Sequence, residues 1–141
     1  MLKQTYAYGT VQEKSAHMCI IIRTMKSNIY RTIYIIWLLF ITAISLIPIA
    51  PVAKELPKNS DKIAHFLIYF ITAMLFYYGF KDIIYKPLFS SVIISLTIGI
   101  IIEFLQLLVP YRSFSLSDVV ADFAGAITFF LIFWIKTILK E

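Results

Sequence analysis

Four apolar runs, residues 32–49, 63–80, 88–109 and 119–135, constrain this chain more than anything else in it. Each is close to the roughly 20 residues that an α-helix needs to cross about 30 Å of hydrocarbon. Segments such as IGIII at 98–102 do not alternate as the strands of a membrane β-barrel must. A soluble bundle would carry a polar outer face on each helix, and these runs are apolar all round apart from a handful of positions. Hydrophobic residues make up 60% of the chain and charged ones 15%, with mean hydropathy +0.84, far from the balance of a soluble domain. The expected fold class is therefore all-α: a polytopic membrane protein built as a four-transmembrane-helix bundle. Its 141 residues allow one domain of this kind.

Orientation follows from the cations. Nine of the thirteen Lys and Arg residues lie before the first run, between the second and third, or at the C-terminus. The other two loops hold only Lys54, Lys58, Lys62 and Arg112. By the positive-inside rule both termini face the cytoplasm of a bacterial inner membrane, with loops 50–60 and 110–116 outside. The net charge of +5 is accounted for by this topology, and no aromatic–basic ladder of a nucleic-acid surface is present. Membrane lipids are the expected surroundings, and nucleic acid is not an expected partner.

Residues 1–28 differ from the rest. They have mixed polarity and a short apolar patch at 18–22, too short to span, without the ordering of a signal peptide. They read as a cytoplasmic N-terminal tail and a candidate non-native extension, because Met25-Lys26-Ser27-Asn28 makes a natural membrane-protein start. Residues 29–141 form the four-helix membrane domain. The single Cys19 excludes an intrachain disulfide, and neither it nor His17 sits in a metal-finger spacing. Pro48 and Pro51 end the first helix, Ser60 or Asp61 caps the second, and Pro110 stops the third. Ser115 and Asp118 have the S-x-x-D spacing of a capping box for the fourth.

Glu103 and Gln106 lie inside the third run, where a carboxylate costs at least a few kcal/mol and normally faces a protein interior or a wet cavity. Under the expected topology, Asp61, Arg112 and Asp118 lie near the outer interface, with His65, Glu103 and Asp122 deeper. Asp61 and His65 are four apart, Glu103 and Gln106 three, and Asp118 and Asp122 four, so each pair shares a helix face. Three helices thus aim polar faces at one level. His65 and Glu103 are the candidate catalytic residues. Asp61, Gln106, Arg112, Asp118 and Asp122 are the candidate ligand-binding ones.

Each has a plainer explanation. Asp61 and Asp118 can be caps, Arg112 can bridge carboxylates or meet lipid phosphates, and His65 and Gln106 can hydrogen-bond between helices. Glu103 resists this treatment, since neither capping nor snorkelling is expected to reach its depth. Ser91, Ser95 and Gly99 lead up one face to Glu103, and Ala121 with Gly125 forms a second small-residue pair. These make helices three and four the expected close pair, with helix two completing the pocket and helix one a peripheral wall. Trp37, Trp134 and most Tyr and Phe are expected to face lipid or the interface.

The same residues carry a family resemblance. Asp61-Lys62-Ile63-Ala64-His65-Phe66 with Tyr69, then Glu103-Phe104-Leu105-Gln106 with Pro110 and Arg112, then Ser117-Asp118 and Gly125, resemble the signature of VanZ-like membrane proteins. The likeness runs from about Ile29 to the end and includes the four-helix plan. Asp122 departs from it, standing where asparagine is more usual. The resemblance implies an envelope protein associated with low-level glycopeptide (teicoplanin) tolerance, and implies no set chemistry.

Three function classes follow. The first is an envelope protein that binds an anionic amphiphile or lipid-linked precursor at the outer leaflet. Arg112 and the nearby lysines would hold the headgroup, with His65 and Glu103 as an acid–base pair below. The second is an intramembrane hydrolase or transferase using those residues, with a divalent metal on His65, Glu103, Asp118 and Asp122. The third is a non-catalytic membrane scaffold. No HExxH, GxSxG or phosphate-cradling glycine loop points to one reaction.

Overall fold

The structure, a computed structural model, describes residues 2–47, 60–110 and 114–139, with side chains from Lys14 onward. Four helices follow one another: α1 (Leu2–Ser45), α2 (Ser60–Phe80), α3 (Pro87–Gln106) and α4 (Leu116–Ile138), with no strand among the described residues. All four are long and apolar enough to cross a membrane. The bundle is all-α, as the hydropathy requires.

Two boundaries differ from expectation. Helix α1 has 44 residues, about 66 Å at ~1.5 Å per residue, twice a hydrocarbon core. The stretch set apart as a tail is thus helical and continuous with the first span. It contains no proline, the first of the chain being Pro48, so no breaker interrupts it. At the other end of the chain's polar region, α3 stops at Gln106 rather than running to Val109. Successive i→i+3 bonds from Leu107, Leu108 and Val109 turn the backbone off the helix before Pro110.

Helix α1 leans on α2 and scarcely touches α3, the peripheral placement expected of it. Tyr34, Leu75 and Phe76 form the buried seam, with the Tyr34 ring edge-on to Phe76 at 5.7 Å and to Phe80 at 5.8 Å. Trp37 Nε1 donates to Thr72 Oγ1 at 2.9 Å, so this indole ties two helices together instead of facing lipid. Nearer the α2 C-terminus, Ser27 Oγ and Arg31 Nε both donate to the Gly79 carbonyl, at 2.7 and 2.8 Å. That carbonyl belongs to the last turn, where helix acceptors lack partners and a cation is favoured by the dipole.

The closest helix pair is α2 with α4, not α3 with α4. Gly125 explains the difference. A Cβ there would run into the Phe66 carbonyl and meet the Phe70 amide at 3.0 Å, so the Ala121–Gly125 face lies on the backbone of α2. Ala73, Val92, Ala126 and Phe129 fill the seam among α2, α3 and α4. Ser91 and Ser95 are fully buried, so the small-residue face of α3 does turn inward. Gly125→Ala is expected to cost about 1–3 kcal/mol by overpacking against backbone that cannot yield. Gly79→Ala, whose Cβ would stand 3.3 Å from both the side chain and the backbone nitrogen of Arg31, a looser fit than at Gly125, should cost less. Melting of both purified variants in detergent checks the order.

Candidate functional site

The N-termini of α2 and α4 and the C-terminal turn of α3 meet at one end of the bundle, and the polar residues gather there. Asp61 lies in the first turn of α2 and Asp118 in the first turn of α4, where the positive helix ends stabilise carboxylates. One turn further in, His65 Nδ1 and Asp122 Oδ1 stand 2.8 Å apart, the only ion-pair contact among the described residues. A carboxylate accepts, so the ring proton lies on Nδ1 and leaves Nε2 as the nitrogen free for a ligand or proton. Asp122 is 1% exposed, and its other oxygen, Oδ2, has no hydrogen-bond partner. It packs on Gly99, where an added Cβ would come within 2.6 Å of it. Gly99 is small so that this carboxylate can approach α3.

Glu103 is 1% exposed and points into the bundle. Its partner is not His65, as an acid–base pairing would require. Oε2 accepts from the backbone N–H of Ser115 at 3.0 Å, while Oε1 has no hydrogen-bond partner. This contact also explains why the expected capping box does not form. Ser115 has the extended backbone of an N-cap, but its hydroxyl is 2.9 Å from that of Ser117 and makes no capping bond. In a capping box the carboxylate at Asp118 would take the Ser115 N–H. Here Glu103, from a different helix, takes it. Capping therefore does reach the depth of Glu103, because α3 ends early and the chain folds back, with the Phe114 ring tilted against Phe104 at 5.7 Å. A carboxylate in the last turn of α3 opposes that helix's dipole, and lying at the N-terminus of α4 offsets the cost.

Asp118, released from capping, turns inward and is 8% exposed. Asp61, His65 and Asp118 each offer a ligand atom within 4.8 Å of the other two. This group differs from the metal set expected from the sequence. Asp61 belongs to it, Asp122 stands behind His65, and Glu103 serves the α4 cap. The chemistry of one imidazole nitrogen with carboxylate oxygens fits a hard divalent ion better than structural zinc. Gln106 is buried on the Glu103 face at 3% exposure. Arg112 lies outside the described residues.

Two neighbours of the site escaped the list of candidate residues. Tyr69 is buried, stacks 6.4 Å from the His65 ring and touches the Gly99 position. Its signal was its place four residues after His65, which puts it on the same face. Ser95 is buried with an unpartnered hydroxyl and lies four residues before Gly99, in a stripe that reads more readily as packing than as polarity.

This constellation is carried by a recognisable sequence. Residues 18–138 match the VanZ/LLP1 family. The chain belongs to that family. No curated protein and no solved structure matches it significantly. The VanZ/LLP1 match starts inside the long α1, ahead of the resemblance noted from Ile29 onward, and covers the rest of α1 and all of α2, α3 and α4. Every charged residue assembled at the α2–α4 end falls within it.

Proposed function

We propose that this VanZ/LLP1-family chain is a multi-pass protein of the bacterial cell membrane, with both termini cytoplasmic. Its α2–α4 site binds the anionic headgroup of an amphiphilic or lipid-linked envelope ligand at the outer leaflet. The observation that supports this best is the convergence of Asp61, His65 and Asp118 within 4.8 Å, with Asp122 on Nδ1 of His65. Carboxylates alone would repel an anionic headgroup, strongly so at low dielectric. A divalent cation such as Mg²⁺ or Mn²⁺ reconciles them. Asp61, His65 Nε2 and Asp118 would hold it, and such ions commonly bridge one or two protein carboxylates to phosphate oxygens. Asp122 would then orient the imidazole as outer carboxylates do for metal-binding histidines. The orphaned Glu103 Oε1 and Asp122 Oδ2 add negative potential nearby, which favours a cation. Lys62, next to Asp61, and Arg112, three residues before Ser115, are the cations nearest in sequence to this site for the same headgroup.

Tolerance of low levels of teicoplanin is the phenotype this reading expects. Cells making wild type or Asp118→Asn at equal membrane abundance should differ both in teicoplanin susceptibility and in their lipid-linked precursor profile. Identical behaviour of the two strains would overturn the reading. The His65–Asp122 pair also favours a second reading, an intramembrane hydrolase or transferase with Nε2 as general base. Release of a headgroup product by purified protein separates turnover from binding. A pure scaffold would alter neither profile nor product.

A further inference from the structure

We propose that the opposite end of the bundle holds an anionic phospholipid headgroup in a groove between α1 and α2. The groove encloses about 340 Å³. Arg23 and Lys26 line it from α1 and Lys81 from the end of α2, so three cations from two helices converge on one space. Among the described residues that line the groove, Asp82 is the one carboxylate. Among the described residues none of the three cations is ion-paired, and their side chains make no hydrogen bond; Lys81 Nζ lies 5.4 Å from the centre of the Tyr78 ring. Arg31, by contrast, is already committed to Gly79 and Asn28. Free positive charge concentrates in this groove.

Its level in the membrane follows from the helix register. Ser27 is hydrogen-bonded to the Gly79 carbonyl, which places Arg23 and Lys26 within about one turn of the end of α2, beside Lys81. Counting about 20 spanning residues back from Ile47 also arrives at Ser27. The cations therefore lie at headgroup height, and the cation asymmetry assigns that height to the cytoplasmic leaflet. Tyr30 and Tyr78, stacked at 5.2 Å, form the wall. Such rings suit the boundary between acyl chains and headgroups. Ile22 lines the groove and Ile29, 56% exposed, continues the apolar surface towards the hydrocarbon. A soluble phosphate would use the cations and leave this wall idle, whereas a phospholipid uses both. Basic pockets between membrane helices on the cytoplasmic side bind anionic lipids for this reason.

The full chain, purified in detergent, is titrated with phosphatidylglycerol or phosphatidylcholine of the same acyl chains, and bound lipid is read by native mass spectrometry. Wild type should retain phosphatidylglycerol about tenfold better than phosphatidylcholine, and Arg23→Gln/Lys26→Gln/Lys81→Gln should lose that preference. Lys86→Gln/Lys136→Gln, which removes two charges outside the groove, should keep it. Excess glycerol phosphate should not displace the lipid. Helicity of the triple variant should be unchanged; if it falls, Lys26→Gln and Lys81→Gln tested singly must each show a partial loss of preference. Retained preference in the triple variant, equal binding of the two lipids, loss in the control variant, or displacement by glycerol phosphate would each overturn the assignment.

Discussion

His65→Leu is expected to destabilise the protein by about 3–5 kcal/mol, the usual cost of removing one partner from a buried ion pair. The change strands Asp122, whose Oδ2 already has no hydrogen-bond partner and whose Oδ1 bonds only to His65. No other described side chain stands ready to replace the imidazole. The double variant His65→Leu/Asp122→Leu should recover most of that loss, since apolar residues of similar volume often replace a buried pair at no net cost. Denaturant unfolding in detergent gives both numbers. A single variant as stable as wild type would mean that Asp122 does not depend on His65. The rescued double variant is also the sharpest tool for separating stability from function, because it should fold and yet lack the site.

The second large effect concerns Glu103. Glu103→Leu leaves the part-buried Ser115 N–H without its acceptor, at a cost of about 1 kcal/mol or more, and frees the entry to α4. Glu103→Gln keeps a carbonyl oxygen at nearly the same position, so the bond to Ser115 can persist and accumulation should stay near wild type. What the glutamine removes is the ionisable carboxylate, whose Oε1 has no hydrogen-bond partner. Binding of a cation at the site should therefore weaken in Glu103→Gln although the fold does not. If the leucine variant accumulates better than the glutamine one, Glu103 is tolerated only as a liability of packing, and its place in the site falls.

Much of this architecture was legible in the chain. Runs of near 20 apolar residues have few physical outcomes, so the four helices followed from hydropathy alone. The helical extension of α1 was not legible, because hydropathy marks what crosses lipid and is silent on helices beyond it. The pairing of α2 with α4 was missed for a related reason. Ala121 and Gly125 announce a close approach without naming the partner, and the partner is the backbone at Phe66. Depth brought the right polar residues to one end of the bundle, whereas helix rotation decided which atoms met. Sequence spacing says that Asp118 and Asp122 share a face. It does not say that Glu103 will take the capping bond of Ser115 and leave Asp118 to His65 and Asp61. Such an exchange between helices depends on where α3 ends, and that end lay three residues earlier than the apolar run suggested.

On the proposed function, the Asp61–His65–Asp118 group binds a ligand and does more than hold helices together. Titration of Mn²⁺ into the purified chain in lipid nanodiscs, followed by electron paramagnetic resonance, tests it most directly. Wild type should bind one ion per chain, with binding weakened at least about tenfold in Asp118→Asn, since losing a ligand carboxylate should cost no less than losing an outer-shell partner. The stable His65→Leu/Asp122→Leu variant should not bind it. Mn²⁺ that fails to bind wild type, or binds all three proteins alike, would contradict it.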